Sequence, residues 1–398
     1  MKLSRRRLLQ SGAIFSGSLL MNACGTTTIN EAPLSATMTD TISSHSSKPV
    51  YNSSTRSNNV LHLFASSGFC EDSSRVQRGI ELLSRAGFVV SNQMAAYRRY
   101  QRFAGRDDER VADLQNIVTN ALPAPKVLMG VRGGYGAVRL LPHIDWTRLA
   151  DKMRESQTLL FGFSDVTAIQ LALFAQGGGM PSFAGPMLYS EFAKPDPDPY
   201  TMESFIQTTT NKQVTVSIPF AQSHRPRSVS GIFWGGNLSV IASLVGTPYM
   251  PNIQGGILFL EDVSEQPYRI ERMLQTLHLA GVLRQQQAIV LGDFRMGNIR
   301  DSYDPYYDLN SVSQVISRVT GLPIFTHFPF GHITHKTTFP LGTYAKLEPN
   351  NNGGYDITFS DYPVLDANTL VLNELLPPPP SLFDAIDENV DNQSNDIP

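Results

Sequence analysis

Leu159-Leu160-Phe161-Gly162-Phe163-Ser164-Asp165-Val166 is the stretch on which the fold turns. An apolar run ends at Gly162 and passes straight into a helix-like segment, Val166 to Gln176. A strand that becomes a helix so quickly places Ser164 at a sharp turn. Its hydroxyl projects from the backbone there, and the first N–H groups of the helix point toward whatever the hydroxyl attacks. The glycine often found two residues after such a serine is absent, because Val166 holds that position. A small residue at a strand–helix turn is commonly a packing device, so Ser164 needs partners elsewhere in the chain.

Working outward, strand and helix patterns alternate on both sides of this turn. Val60 to Phe64 reads as a strand, Ser73 to Ala86 as a helix with Val76, Ile80, Leu82 and Leu83 on one stripe, and Gly87 to Val90 as a second strand. Asp107 to Ala121 is helical again, and Lys126 to Val131 is a third strand ending in the loop Arg132-Gly133-Gly134-Tyr135-Gly136. Such alternation predicts a parallel sheet covered on both faces, with its ligand crevice at the carboxyl ends of the strands. The loops at Ser67, Arg132–Gly136 and Ser164 are therefore expected at one edge. The expected organisation is an α/β domain over 59–193, a linker over 194–220 built on Lys194-Pro195-Asp196-Pro197-Asp198-Pro199, and a β-richer domain over 221–376. One helix, Tyr268 to Ala280, interrupts the shorter β-type runs of that second domain.

The chain has 398 residues, 41% hydrophobic and 17% charged, with a net charge of −3. These values suit a globular protein with a substantial core and give no electrostatic footprint for nucleic acid. Residues 1–24 read as an export signal: Arg5-Arg6-Arg7 precede Leu8-Leu9, and a modestly apolar Gly/Ser-rich run leads to Ala23-Cys24-Gly25. The arginines resemble a twin-arginine signal and Cys24 the lipidated cysteine of a bacterial lipobox. The alternative is an ordinary cleaved signal in which Cys24 is discarded. Residues 25–58 have the composition of a flexible tether, and 377–398 that of a disordered acidic tail behind Pro377–Pro380. Two cysteines, Cys24 and Cys70, leave no expected intrachain disulfide if Cys24 carries lipid, and they exclude a cysteine-built zinc site.

Two further features supply partners for the serine. Gly256 to Glu261 is an apolar strand ending in the carboxylates Glu261 and Asp262, and Pro329-Phe330-Gly331-His332 offers a loop histidine, with His335 a nearby competitor. A serine hydroxyl is a poor nucleophile until a base takes its proton, and that base needs an orienting acid. The order Ser, acid, His also occurs in known serine hydrolases.

At this point the chain resembles the murein tetrapeptide LD-carboxypeptidases of the serine peptidase S66 type, from about Leu61 to Leu365. The resemblance rests on Arg132-Gly133-Gly134-Tyr135-Gly136-Ala137, Gly162-Phe163-Ser164-Asp165-Val166-Thr167-Ala168 and Phe183-Ala184-Gly185-Pro186-Met187. Trp234-Gly235-Gly236-Asn237-Leu238, Leu260-Glu261-Asp262-Val263, Arg269 to Leu274, Gly331-His332 and Pro340-Leu341-Gly342 complete it. It implies a homodimer whose protomer has a flavodoxin- or amidotransferase-like N-terminal α/β domain, a C-terminal β-rich α+β domain, and the site between them. It also implies a cofactor-free, metal-free mechanism on muropeptide tetrapeptides, with Ser164 as nucleophile, His332 as base and then acid, and Glu261 orienting it. The backbone N–H groups of Asp165 and Gly134 would form the oxyanion hole, and Arg132, Trp234 and Asn237 would lie near the substrate.

Two departures stand out. The family commonly has proline before Ser-Gly in the first strand-end loop, where this chain has Ser66-Ser67-Gly68. Familiar enzymes of this type are cytoplasmic, whereas the N-terminus here predicts an envelope protein on the periplasmic side, lipid-anchored and at the outer rather than the inner membrane. Within the family the alternative activity is hydrolysis of peptidyl-nucleotide antibiotics, conferring self-immunity. Outside it, the alternative is a non-catalytic lipoprotein that binds muropeptides. A nucleotide-binding reading of the Arg132–Gly136 loop fails on the spacing of its glycines.

Overall fold

The computed structural model describes residues 59–221 and 223–377. The expected export signal with Cys24, the tether, and the tail beyond residue 377 lie outside the described residues. The ordered chain begins as β1 (Val60–Phe64), α1 (Ser73–Arg85), β2 (Val89–Ser91), α2 (Asp107–Val118), β3 (Val127–Gly130), α3 (Trp146–Ser156), β4 (Leu159–Gly162), α4 (Thr167–Gln176) and β5 (Ser182–Ala184). These five strands pair in parallel in the order β2-β1-β3-β4-β5. Every residue of β3 and β4 is buried, which is why both read as unbroken apolar runs. Asp72 and Asp145 accept backbone N–H bonds at the starts of α1 and α3, satisfying donors that a helix leaves free at its N-terminus.

The stretch expected as a linker is a correction. Asp198 caps a helix, α5 (Pro199–Thr210), and Pro199 occupies its first turn, where a missing N–H costs nothing. A strand, β6 (Val214–Ile218), follows. The proline-rich run is a helix start, not a spacer.

The second half runs β7 (Ser223–His224), β8 (Val229–Asn237), α6 (Leu238–Leu244), β9 (Gly256–Glu261), α7 (Pro267–Leu279), β10 (Gln286–Leu291), α8 (Leu309–Thr320), β11 (Ile324–Phe325), β12 (Phe339–Leu341), β13 (Thr343–Pro349) and β14 (Tyr355–Phe359). Its sheet has eight strands in the order β6-β14-β13-β8-β9-β10-β11-β7. Strands β8 to β11 are parallel, while β13, β14 and β6 form an antiparallel edge. Helices α6 and α8, unexpected beside α7, make the crossovers that parallel neighbours require.

Strand β12 breaks the division between the halves. It pairs antiparallel with β5, Phe339 opposite Ala184 and Leu341 opposite Ser182, and so completes the first sheet as a sixth strand. The next strand, β13, belongs to the second sheet. Gly342, at φ +79°, makes the turn between them, and a Cβ there would stand 2.6 Å from the Phe174 ring. Phe339 then sits among Phe233, Phe259, Phe328, Phe330 and Phe359, with ring centroids 4.9 to 5.8 Å apart. Each such pair contributes about 0.5–1.5 kcal/mol beyond the area it buries. Replacing Phe339 by alanine is expected to destabilise the protein by about 3–5 kcal/mol. Denaturant unfolding should show a lower midpoint at unchanged slope, and an unchanged midpoint would refute the stitching role given to this ring.

Candidate active site

Ser164 follows β4 and opens a single 3₁₀ turn, Ser164–Val166, that leads into α4. Its φ is +60°, a left-handed conformation that costs a non-glycine residue energy and recurs at functional turns. The loop after β3 lies directly against it. A Cβ on Gly133 would stand 2.8 Å from the Ser164 hydroxyl, so only glycine fits there without displacing the serine. The same Cβ would lie 3.8 Å from the Asp165 amide nitrogen, and Gly134 follows at φ +123°. Ser164, Gly133 and the Asp165 N–H thus meet at one corner.

The histidine beside Ser164 comes from the other half of the chain. His332 places Nε2 3.1 Å from Ser164 Oγ and Nδ1 2.9 Å from Glu261 Oε2. Glu261, the last residue of β9, is fully buried. A carboxylate at Nδ1 selects the tautomer with hydrogen on that nitrogen, which leaves Nε2 free to accept the serine proton. Asn237, at the end of β8, donates from Nδ2 to Glu261 Oε1 and to Asp262 Oδ1, both at 3.2 Å. Its carbonyl oxygen meanwhile accepts the Val240 N–H and caps α6. Burial pushes the Asp262 carboxyl up; N–H donors from Val263 and Ser239 pull it back, and neighbouring Glu261 adds to the rise.

A second buried carboxylate, Asp165, holds the loops. Its Oδ2 accepts the Ser67 hydroxyl at 2.7 Å and the Ala137 N–H at 2.8 Å. Burial raises its pKa, opposed by these two bonds and by Arg110. Arg110, itself buried, donates from Nη1 to the Ser66 and Gly136 carbonyls. Gly68 N–H bonds the Gly133 carbonyl at 3.2 Å. Ser66 is the residue that departs from the family pattern; its carbonyl accepts Arg110, and its neighbour Ser67 is tied to Asp165.

The cleft beside Ser164 and His332 measures about 430 Å³. Arg132 and Gly134 line it. Trp234 does not: it is buried, and its indole N–H bonds Gln286 Oε1 at 2.8 Å, so its expected place beside the substrate is corrected to the core. Asn237 is likewise buried and reaches the site through Glu261. Residues that sequence reasoning did not find complete the walls, among them Arg75, Tyr189, Glu191, Lys194, Arg295 and Lys336. They lie in loops and helix starts with no motif of their own.

The loop carrying His332 is clamped by α5. Thr201, Ser204 and Thr208, at i, i+3 and i+7, share one helix face. The Thr201 hydroxyl accepts the Lys336 N–H at 3.1 Å, Ser204 accepts the Thr338 N–H at 2.8 Å, and Thr208 donates to the Thr338 carbonyl at 2.8 Å. The Lys336 ammonium forms a buried ion pair with Glu191 and lies 4.6 Å from the centre of the Phe163 ring. Arg295 donates to the His332 carbonyl. His335 does not face the serine; it pairs with Asp198 at 2.6 Å.

Substituting Gly133 by alanine should push the serine off its hydrogen bond. A displacement of that size lowers turnover by about 10²-fold. Steady-state kinetics beside thermal unfolding would show activity lost with the melting temperature nearly kept; full activity would contradict the close approach.

Comparison with known proteins finds family models for both halves of the chain. The model of the LD-carboxypeptidase N-terminal domain matches residues 61–185, and that of the LD-carboxypeptidase C-terminal domain matches residues 230–347. The chain is 28% identical to the probable murein peptide carboxypeptidase of Bacillus subtilis over 278 residues, 69% of this chain and 85% of that protein. It is 29% identical to the microcin C7 self-immunity protein MccF of Escherichia coli over 311 residues, 70% of this chain and 86% of that protein. Among solved structures, the muramoyltetrapeptide carboxypeptidase from Oxalobacter formigenes is similar at a TM-score of 0.69 and 37% identity, covering 77% of this chain and 100% of that one.

Proposed function

This chain belongs to the LD-carboxypeptidase family of serine peptidases, and we propose that it releases the terminal D-alanine of murein tetrapeptides by hydrolysing the L,D peptide bond. The observation that carries the reading is the unbroken chain of contacts from Ser164 Oγ through His332 to buried Glu261. Ser164 attacks the carbonyl while His332 Nε2 takes its proton, and Glu261 stabilises the imidazolium that forms. The developing oxyanion faces the Asp165 and Gly134 N–H groups, each donor worth about 3 kcal/mol in the transition state. His332 then protonates the departing D-alanine amine, and water releases the tripeptide by the reverse sequence. Arg132 would receive the free carboxylate of D-alanine, a role supported by its position in the cleft lining next to Gly133.

Muropeptides incubated with the protein and analysed by mass spectrometry should lose one alanine, and the Ser164→Ala protein should leave them intact. Tetrapeptide turnover surviving that substitution would sink the assignment. The second reading is favoured by the likeness to MccF, a self-immunity protein. Cleavage of a peptidyl-nucleotide in the same assay, with tetrapeptides untouched, would move the function there. Tight tetrapeptide binding without alanine release would instead favour the non-catalytic lipoprotein.

The reading extends to place. Arg5-Arg6-Arg7 and Ala23-Cys24-Gly25 support export and lipid attachment at Cys24, so the enzyme would work on the wall side of the envelope, as a homodimer like its family. Cells fed a labelled fatty acid should label the wild-type chain and not its Cys24→Ala form. Equal labelling of both would remove the anchor from the account.

A further inference from the structure

Three loops meet at the corner beside Ser164, and one carboxylate touches all of them. Asp165 lies in the turn after β4 and is nearly inaccessible. Its Oδ2 accepts the Ser67 hydroxyl at 2.7 Å, from the loop after β1, and the Ala137 N–H at 2.8 Å, from the end of the loop after β3. Those two loops also bond each other, the Gly68 N–H donating to the Gly133 carbonyl at 3.2 Å. The contacts close a ring. It runs from Asp165 to Ser67 and Gly68, across to Gly133 and Gly134, along to Ala137, and back to the same oxygen.

The ring has little slack. A Cβ on Gly134 would stand 3.2 Å from the Gly68 nitrogen, and one on Gly133 would stand 2.9 Å from Ser164 Cβ. Arg110 already joins the same two loops through the Ser66 and Gly136 carbonyls, so their cohesion alone does not call for a second buried charge. Among the described residues Asp165 forms no ion pair. Burial pushes its carboxyl up, against the Ala137 and Ser67 hydrogen bonds and the more distant Arg110 and Arg102. A buried carboxylate without a paired cation costs free energy, so its retention calls for a role other than stability. Arg110 stands outside the turn after β4, whereas the Asp165 carboxylate and the Asp165 main-chain N–H belong to one residue. Ala137, three residues beyond Gly134, is therefore held at a fixed place relative to that N–H.

We propose that the Asp165 side chain is a positioning group of the reaction: through Ser67 and Ala137 it sets the spacing between the Asp165 and Gly134 N–H groups that would receive the oxyanion. This rests on the carboxypeptidase reading above, which supplies the attack by Ser164 and the two donors. Such donors act where charge develops in the transition state, not on the carbonyl oxygen of the bound substrate. A spacing error therefore lowers kcat and leaves KM nearly as it was. The ring needs one oxygen that accepts two hydrogens, and it does not need a charge. An asparagine whose amide oxygen takes the place of Oδ2 keeps both bonds.

The test compares Asp165→Ala, Asp165→Asn and Ser67→Ala with the unsubstituted full chain on a murein tetrapeptide. Asp165→Ala should lower kcat by about 10²-fold while KM stays within about twofold. Asp165→Asn should recover most of that loss, and Ser67→Ala, which breaks one bond of the two, should lose less than Asp165→Ala. A tripeptide boronate reads the same corner without turnover. Its boron bonds the Ser164 oxygen as His332 takes the hydroxyl proton, and the tetrahedral anion so formed meets the same donors. Its affinity should fall by about 10²-fold in Asp165→Ala. Calorimetric binding of the tetrapeptide to Ser164→Ala and to Ser164→Ala/Asp165→Ala should be equal. Unchanged kcat in Asp165→Ala, an asparagine no better than alanine, or tetrapeptide binding that falls as far as boronate binding would overturn the role. Should Asp165→Ala fail to fold, Ser67→Ala decides: kcat lowered at constant KM supports the ring, and both constants unchanged refute it. Boronate binding that weakens in Asp165→Ala, with no alanine released by the unsubstituted chain, would sink the carboxypeptidase reading and keep the positioning role. Alanine release at equal kcat in both proteins would do the reverse.

Discussion

The site depends on one crossing of the chain. Strand β12 leaves the second half, pairs with β5 in the first sheet, and returns through Gly342 into β13. His332 lies seven residues before it, on the stretch that this pairing anchors. Ser164 lies just past the end of β4, Glu261 at the end of β9, and neither strand is in the other's sheet. Phe339 fixes the crossing from the second sheet's side through its aromatic neighbours, and Phe163 and Phe330 extend that contact to the residue before Ser164. The imidazole itself stacks edge-on against Phe163 at 5.3 Å. Close packing transmits position because a core has few voids in which to relax. Apolar contacts therefore set the distance between Ser164 and His332, and hydrogen bonds only finish it.

Around that contact the protein buries charge at some cost. Glu261, Asp262, Asp165, Arg110, Glu191 and Lys336 are all nearly inaccessible. A buried ion pair often returns little net stability, and removing one partner costs far more than the pair ever contributed. Their locations suggest what they give instead. Asp165 and Arg110 each bridge the two glycine-bearing loops at adjacent residues, Asn237 holds Glu261 and Asp262, and the Glu191–Lys336 pair joins the histidine loop to the segment after β5. Each network joins one loop of the site to another, where directional bonds fix geometry that apolar contact leaves loose.

Much of this was legible in the sequence, and the exceptions have physical reasons. β3 and β4 are buried on both faces, so their composition alone declared them, and α1 and α7 carried clear apolar stripes. Ser164, Glu261 and His332 were found because each chemistry needs one residue type at the end of a strand or in a loop beside one. Residues 194–220 were misread because proline is both a spacer residue and a favoured first residue of a helix, and only the cap by Asp198 separates the two. Trp234 was misplaced because a motif reports that a residue lies near a site without saying which way its side chain points. The cationic wall left no pattern at all: Arg75 comes from α1, Arg132 from the loop after β3, Lys194 from the segment before α5, and Arg295 from the loop after β10.

That scatter bears on how the enzyme is built. Neither sheet alone contains the set proposed to act: the first supplies Ser164, the glycine loop and two of the arginines, the second Glu261, and the crossing segment His332. A loosened crossing would separate base from serine while leaving both sheets largely folded, so activity should be lost before most secondary structure. Strain at Ser164 fits the same logic. A residue held at φ +60° persists only where its surroundings over-determine it. Here the surroundings are β4 on one side and α4 on the other, both among the most deeply buried elements of the molecule. The reactive groups lie at the borders between elements, and their positions are fixed by the rigid interiors that those elements share.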